Sequence, residues 1–183
     1  MDKGSSAVRF KARLLQPAEP KDAAWSFLVL PASASARLPT RSMVTVDGTL
    51  AGHAFQVTLE PDGQGSHWLK VEEDLRQAAG VSVGDAVALA IVPVAEEPEP
   101  RVPADIREAL DDHPAARATW DDITAIARRD WIHWIVSGKK AETRVKRIAT
   151  ACDMLAKGKR RACCFDRSGM YSNSLSAPKA ASG

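Results

Sequence analysis

A segment rich in proline and glutamate divides this sequence into two parts. Residues 92–103, VPVAEEPEPRVP, contain four prolines and three glutamates. Because proline has no backbone N–H and a fixed φ, such a segment cannot continue a helix or a central strand. The chain of 183 residues shows strand-like patterns before it and helical patterns after it. The sequence therefore predicts two modules.

The first module has the patterns of a small barrel. Apolar or alternating runs predict strands at 8–14, 25–30, 43–50, 54–59, 67–71 and 85–92. Short helices are predicted at 33–38 and 72–79, the second ending at Gly80. A strand, a short helix and a strand thus occur twice along the module. Two such units predict a small closed β-barrel in which each helix plugs an end.

The second module is predicted to be a bundle of three or four short helices, two of which begin at Pro103 and Pro114. Its apolar residues recur at helical spacing, as Trp120, Ile123 and Ile126, then Trp131, Trp134 and Ile135, then Val145, Ile148, Cys152 and Leu155. The predicted class is α+β. Its parts are the barrel at 6–95, a Pro/Glu linker at 96–103, the helical domain at 104–160, and a largely flexible tail at 161–183 with an ordered piece near Phe165.

Positive charge is concentrated in the second module. Residues 1–100 carry 9 Lys and Arg against 13 Asp and Glu, whereas residues 101–183 carry 16 against 10. Residues 138–167 alone hold 10 basic and 3 acidic residues. Such a local surplus suits an anionic macromolecule or the acidic surface of another protein. Because no long apolar stretch resembles a targeting signal or a membrane span, we expect a cytoplasmic protein.

One apparent catalytic motif is better explained by structure. Gly80–Gly84 (GVSVG) matches the pattern GxSxG, but a predicted helix precedes it and a strand follows it. A nucleophile elbow needs the opposite order, so we interpret this segment as a turn of the barrel. The acidic pairs in the second module are interpreted as carboxylates near helix N-termini, where they favour the macrodipole. These pairs are Asp111-Asp112 and Asp121-Asp122.

The sequence predicts neither a metal site nor a disulfide framework. The four histidines are scattered, and none has a partner at ligand spacing within one element. Cys152, Cys163 and Cys164 offer neither a zinc spacing nor a disulfide framework, so we expect free thiols. We therefore predict no catalytic residues, no metal and no cofactor.

Both modules resemble known families. WSFLVLP, VDGTLAGHAFQVTL and VEEDLRQAAGVSVGDAVAL resemble a small β-barrel domain of unknown function found in bacterial proteins ahead of a helical partner. ADIREAL, the spacing of Pro114 and Trp120, and above all GKKAETRVKRI resemble the YdeI/OmpD-associated, or bacteriocin-protection, family. The two resemblances cover about residues 6–160. They imply a role in envelope stress or in resistance to cationic peptides, and they define no catalytic residues.

The candidate site for an anion or a partner lies at the start of the last predicted helix. It consists of Lys139, Lys140, Arg144, Arg147 and Trp134, because Lys140, Arg144 and Arg147 share a helix face, Lys139 adjoins it, and the indole nearby offers a surface on which the cations can stack. If these arginines serve binding alone, replacing both by glutamine weakens binding and leaves the melting temperature within a few degrees. The alternative is an ordinary solvated face, in which Glu142 pairs with Lys146 at i, i+4.

The leading hypothesis is a non-enzymatic binding protein that presents this basic, Trp-flanked surface to an anionic partner. A second hypothesis is nucleic-acid binding, because VEEDLRQAAGVSVGDAV also resembles the swapped-hairpin barrels of bacterial transcriptional regulators. Those proteins usually carry basic residues on the barrel, whereas this barrel module is net negative. A third hypothesis, an enzyme with a small ligand in the barrel mouth, rests on fold analogy.

Overall fold

The computed structural model of the chain describes residues 6–138, 140–162 and 176–181. The chain folds into two compact units, one of residues 1–95 with 172–183 and one of residues 96–171. We call them the barrel unit and the helical unit. Four residues named in the sequence analysis lie outside the described residues: Lys139, Cys163, Cys164 and Phe165.

The barrel unit is built on a six-stranded antiparallel sheet. The order of the strands in the sheet is β1-β6-β3-β4-β5-β2. The strands are β1 (Val8–Arg13), β2 (Ser26–Val29), β3 (Val44–Leu50), β4 (His53–Pro61), β5 (His67–Val71) and β6 (Ala86–Pro93). Each strand falls where alternation or an apolar run predicted it. β6 reaches Pro93 because proline is tolerated at a strand end, where a missing N–H breaks no ladder.

The sheet forms a half-barrel, so the prediction of a closed barrel is wrong. Its two end strands, β1 and β2, share no ladder, and one bridge links them in the described part of the chain. In that bridge Leu15 and Phe27 exchange two backbone hydrogen bonds of 2.7 and 2.9 Å. β2 has only four residues because Pro31 follows it closely and turns the chain into a helix. A strand of that length cannot pair along the whole of β1.

Two short helices pack against the half-barrel, as the sequence predicted. They are α1 (Ala32–Ser35) and α2 (Glu73–Ala79). Ala34 is buried with the strand side chains, and Leu75 packs against the same core. Gly80 ends α2 at a φ of +67°, in the left-handed conformation that favours glycine. Beyond the strands, residues 176–181 also join this unit, since Ala18 N–H donates to Lys179 O at 2.7 Å and Ala181 N–H to Gln16 O at 2.8 Å.

Four helices form the helical unit. They are α3 (Ala104–Asp111), α4 (Pro114–Asp122), α5 (Ala125–Val136) and α6 (Ala141–Ala156). Their shared core contains Trp120, Trp131, Trp134, Ile135, Cys152 and Leu155. The predicted bundle of three or four helices is therefore present.

Two residues assigned to apolar helix faces are exposed. Ile126 is 46% exposed because α4 ends at Asp122, so Trp120 and Ile126 lie on different helices. Val145 is 66% exposed. At 100° per residue it lies about 20° around α6 from Cys152 and 80° from Leu155, at the margin of the buried stripe, and it stands two turns nearer the start of the helix than Cys152. Spacing alone did not show where a helix ended or how wide the buried stripe was.

Candidate functional site

Basic side chains in the helical unit close the C-terminal ends of its helices. Arg128 Nη1 donates to Trp120 O at 3.0 Å and to Ile123 O at 2.6 Å, at the end of α4. Its Nε and Nη2 donate to both carboxylate oxygens of Glu99, at 2.7 and 2.8 Å. Helix C-termini present unpaired carbonyls with partial negative charge, which guanidinium groups satisfy. Part of the basic surplus thus serves the fold, and Glu99 ties the linker segment to α5.

The predicted acidic pairs lie at the opposite helix ends from those expected. Asp111 ends α3, and Asp121 and Asp122 end α4, so all three are C-terminal. A carboxylate is unfavourable there unless a cation compensates it. Arg117 contacts Asp111 at 2.7 Å and Asp121 at 3.0 Å, and Arg160 contacts Asp122 at 2.6 Å. These carboxylates therefore belong to ion pairs, and the interpretation as N-terminal groups is wrong.

The candidate site surrounds the joint between α5 and α6. A Cβ at Gly138 would lie 3.0 Å from Thr143 Cγ2 and 3.4 Å from the backbone N of Arg144. The first turn of α6 therefore approaches the end of α5 closely, and glycine leaves room for it. Lys140 is the N-cap residue of α6, and no side chain caps that helix end. Lys140 is exposed and directly precedes the first turn of α6, whose N–H groups its side chain does not cap.

Arg147 is held at this joint by three contacts. Its Nη1 donates to Trp134 O at 2.6 Å and to Ser137 Oγ at 2.8 Å. Its guanidinium carbon lies 5.3 Å from the centroid of the Trp134 ring, a cation–π distance. Trp134 is 8% exposed and packs edge-to-face on Trp131. Arg147 thus caps α5, while its Nε and Nη2 groups have no hydrogen bond to the described residues.

Arg144 is paired with a carboxylate of α3. Its Nε and Nη2 donate to Asp105 Oδ2 at 2.7 Å and Oδ1 at 3.0 Å, in a bidentate arrangement. The hydrogen bonds and the charge of Arg144 lower the pKa of Asp105, and those of Asp105 raise the pKa of Arg144. An incoming anion would have to compete with this carboxylate. The structure thus places all the described candidates at one joint, but it neutralises Arg144.

The Asp105–Arg144 pair predicts a small acid dependence of stability. The carboxyl group of Asp105 has a lower pKa in the folded protein than in the unfolded chain, where it is about 4. The ionised group therefore stabilises the folded state above about pH 4, and this stabilisation is lost as the pH falls through the pKa of Asp105 in the folded protein. Asp105→Asn should therefore lower the unfolding free energy by about 0.5–1 kcal/mol at pH 7, since the pair is partly exposed. Thermal melts from pH 7 to pH 2 measure whether the difference in melting temperature between Asp105→Asn and the wild type disappears at low pH. A gap that stayed constant would assign the loss to something other than this pair.

The remaining basic residues of the last helix divide into paired and unpaired groups. Lys157 lies 2.9 Å from Asp153 on the same helix. Lys146 and Glu142 are exposed, and no ion pair joins them in the described part of α6. The alternative of a face neutralised by that pair is therefore not supported. Within residues 140–156, Lys140, Lys146 and Arg147 are the cations that form no ion pair with a described carboxylate.

The GxSxG segment is the predicted turn between α2 and β6. Ser82 N–H donates to Asp85 Oδ2 at 2.8 Å, which fixes the turn.

The described residues contain no group of three His, Cys, Asp or Glu that could hold a metal ion. Cys152 is buried, and burial raises the pKa of its thiol, which makes it a poor nucleophile. Across the described helices, none is both long and apolar enough to cross a membrane.

Two features of the barrel unit have no counterpart in the predicted site. His67 is 1% exposed, and its Nδ1 lies 2.5 Å from Ser35 Oγ while its Nε2 lies 2.9 Å from Ser42 O. A carbonyl can only accept, so Nε2 carries the proton and Nδ1 accepts from the Ser35 hydroxyl.

The second feature is the row Arg9, Lys11 and Arg13, all exposed on β1. The alternation of VRFKAR was the signal that could have revealed this row.

Comparison with known families supports the two resemblances. Residues 10–91 match the model of a domain of unknown function, DUF1905. Residues 99–158 match the model of the family described as bacteriocin-protection, YdeI or OmpD-associated. A search of curated proteins gave no significant match. The two matches occur in the order that the sequence patterns predicted.

Proposed function

The chain joins a DUF1905 domain to a YdeI- or OmpD-associated domain, and we propose that it is a non-enzymatic binding protein for an anionic partner. The proposed binding surface, which we call the α6 surface, consists of Lys140 and Arg147, whose guanidinium lies over Trp134, and it includes Lys139 on the grounds of its sequence position alone. Arg144 contributes to its structure, since Asp105 holds it.

The observation that carries this proposal is the state of Arg147. One of its nitrogens is bonded to α5, which fixes the guanidinium over Trp134, and the other two nitrogens remain available. Lys140 is the N-cap residue of α6, seven residues before Arg147 and thus about 10 Å earlier along the helix axis. The uncapped N-terminus of α6 adds N–H donors and partial positive charge beside Lys140. A rigid guanidinium and a mobile ammonium together suit a partner with more than one anionic group.

Removing the two lysines should weaken binding without unfolding the protein. Lys139→Gln/Lys140→Gln is expected to lower affinity for a labelled heparin oligosaccharide roughly ten- to thirty-fold, since each lysine near an anionic surface contributes about 1 kcal/mol. Fluorescence anisotropy at low salt measures the change. The melting temperature should stay within about 2 °C, because Lys140 is exposed and removing an exposed lysine outside special contacts has little effect on stability.

The matched control is Lys157→Gln/Lys159→Gln, which removes the same charge at the other end of α6, about 25 Å from Lys140. We expect it to change affinity less than two-fold. Equal losses in both double variants would mean that binding follows net charge and not the α6 surface. A single-stranded oligonucleotide that bound more tightly than heparin and than polyglutamate would assign the partner to the nucleic acids.

A further inference from the structure

One face of the half-barrel carries a row of cations. Residues of β1 alternate, so Val8 is buried and Phe10 and Ala12 pack against the core, whereas Arg9, Lys11 and Arg13 are exposed. All three cations therefore point to the outer face of the sheet. Alternate residues of a strand are about 6.6–6.8 Å apart, which spreads the row over about 13 Å. We call this row, with the surface beside it, the β1 face.

The strand next to this row presents only small side chains to the same face. In the β1–β6 ladder Arg9 lies opposite Ala90, Lys11 opposite Ala88, and Arg13 opposite Ala86. Because alanine side chains are short, the cations stand above the surface of β6. A groove of about 600 Å³ lies here, and its walls include Arg9, Lys11, Thr49, Gly52, Ala88 and Ala90.

The charges of this row are not neutralised within the described part of the chain. No ion pair joins Arg9, Lys11 or Arg13 to a described carboxylate. Asp47 lies on the same face of β3, two strands and thus about 9.5 Å from β1, and it accepts from Gln56 Nε2 at 2.9 Å. Asp85, near the Arg13 end, accepts from Ser82 N–H. The groove therefore has a positive wall and an apolar floor.

We propose that this groove binds an extended acidic peptide with Asp or Glu at alternate positions. An extended peptide has the same repeat as β1, so carboxylates at alternate positions meet successive cations, and the peptide backbone has room over the short alanine side chains. A second copy of the β1 face would oppose like charges. Single-stranded nucleic acid binds through aromatic platforms, but the aromatic residue of these walls, Phe10, packs against the core. The site is independent of the α6 surface.

The test uses the full chain and a labelled peptide that alternates glutamate with threonine. Arg9→Gln/Lys11→Gln/Arg13→Gln is expected to lower its affinity at least ten-fold, as three exposed pairs are lost. The matched control, Lys21→Gln/Arg37→Gln/Arg41→Gln, removes the same residue types from exposed positions of the same unit and should change affinity less than two-fold.

Ala88→Tyr tests the groove without changing charge, because Ala88 is exposed and tyrosine suits a strand. We expect it to lower peptide affinity at least ten-fold while thermal melts show an intact fold. The proposal is overturned if Ala88→Tyr binds like wild type, or if a peptide of the same composition with its glutamates in one block binds equally well. It is also overturned if a single-stranded oligonucleotide binds the groove more tightly than the peptide.

Discussion

Replacing Arg147 by glutamine is expected to lower the melting temperature of the helical unit by roughly 10–20 °C. The substitution removes charged hydrogen bonds to Trp134 O and Ser137 Oγ, worth about 1.5–3 kcal/mol, and a cation–π contact worth about 0.5–2 kcal/mol. The two ranges sum to about 2–5 kcal/mol, and a loss near the lower end, about 2.5 kcal/mol, gives the stated shift because each kcal/mol corresponds to about 4–8 °C in a unit of this size. Differential scanning calorimetry resolves the transition.

Two further variants distinguish the loss of these contacts from the loss of a positive charge as the reason for the lower melting temperature. Arg147→Lys keeps the charge but loses the planar guanidinium, so it should retain only part of the stability. Lys146→Gln removes a charge from the adjacent, exposed position and should change the unfolding free energy by no more than about 0.5 kcal/mol. If Arg147→Gln melted like Lys146→Gln, the capping role of Arg147 would be refuted. The sequence alone predicted a change of only a few degrees, because it could not show that this arginine is bonded to α5.

Replacing His67 by alanine is expected to destabilise the barrel unit by about 3–5 kcal/mol. The side chain is fully buried, so the change leaves a cavity, for which large-to-small substitutions typically lose about 2–5 kcal/mol. It also leaves the Ser35 hydroxyl and the Ser42 carbonyl without their imidazole partner. Because Ser35 lies on α1, the loss should loosen that helix from the strands. Urea unfolding, followed by circular dichroism, measures the change.

His53→Ala is the matched control, since His53 is exposed at the start of β4. We expect it to change the unfolding free energy by no more than about 0.5 kcal/mol. The unfolding free energy of His67→Phe should lie between those of His67→Ala and His53→Ala, because phenylalanine fills the volume of the imidazole but cannot form its hydrogen bonds. Equal stability of His67→Ala and His53→Ala would show that the imidazole does not hold α1 in place.

The strands and helices could be predicted because local pattern specifies them. Alternation or a continuous apolar run located all six strands, and prolines located the helix starts at Ala104 and Pro114. Closure of the barrel could not be predicted, since it depends on how far β2 extends beside β1. That length is set by Pro31, and the pairing of Leu15 with Phe27 joins residues on separate segments. Local propensity does not specify such register.

The sequence did not show the contacts of the candidate residues. Arg144 and Arg147 lie on α6, and Lys140 directly precedes it. The partner of Arg144 lies 39 residues away, on α3, and no local rule indicates that pairing. The row on β1 was missed for another reason. Net charge averaged over residues 1–100 is negative, which hid three cations on one face of one strand. Charge assigned to strand faces would have revealed them.

Binding of an anionic partner at the α6 surface is tested most directly by the salt dependence of affinity. Heparin binding is measured over a range of NaCl concentrations for the wild type and for Lys139→Gln/Lys140→Gln. Each released counterion steepens the fall of log affinity with log salt, so we predict a steep wild-type slope and a slope shallower by about one to two in the double variant. A flat wild-type response, or identical slopes in the two proteins, would contradict the proposed function.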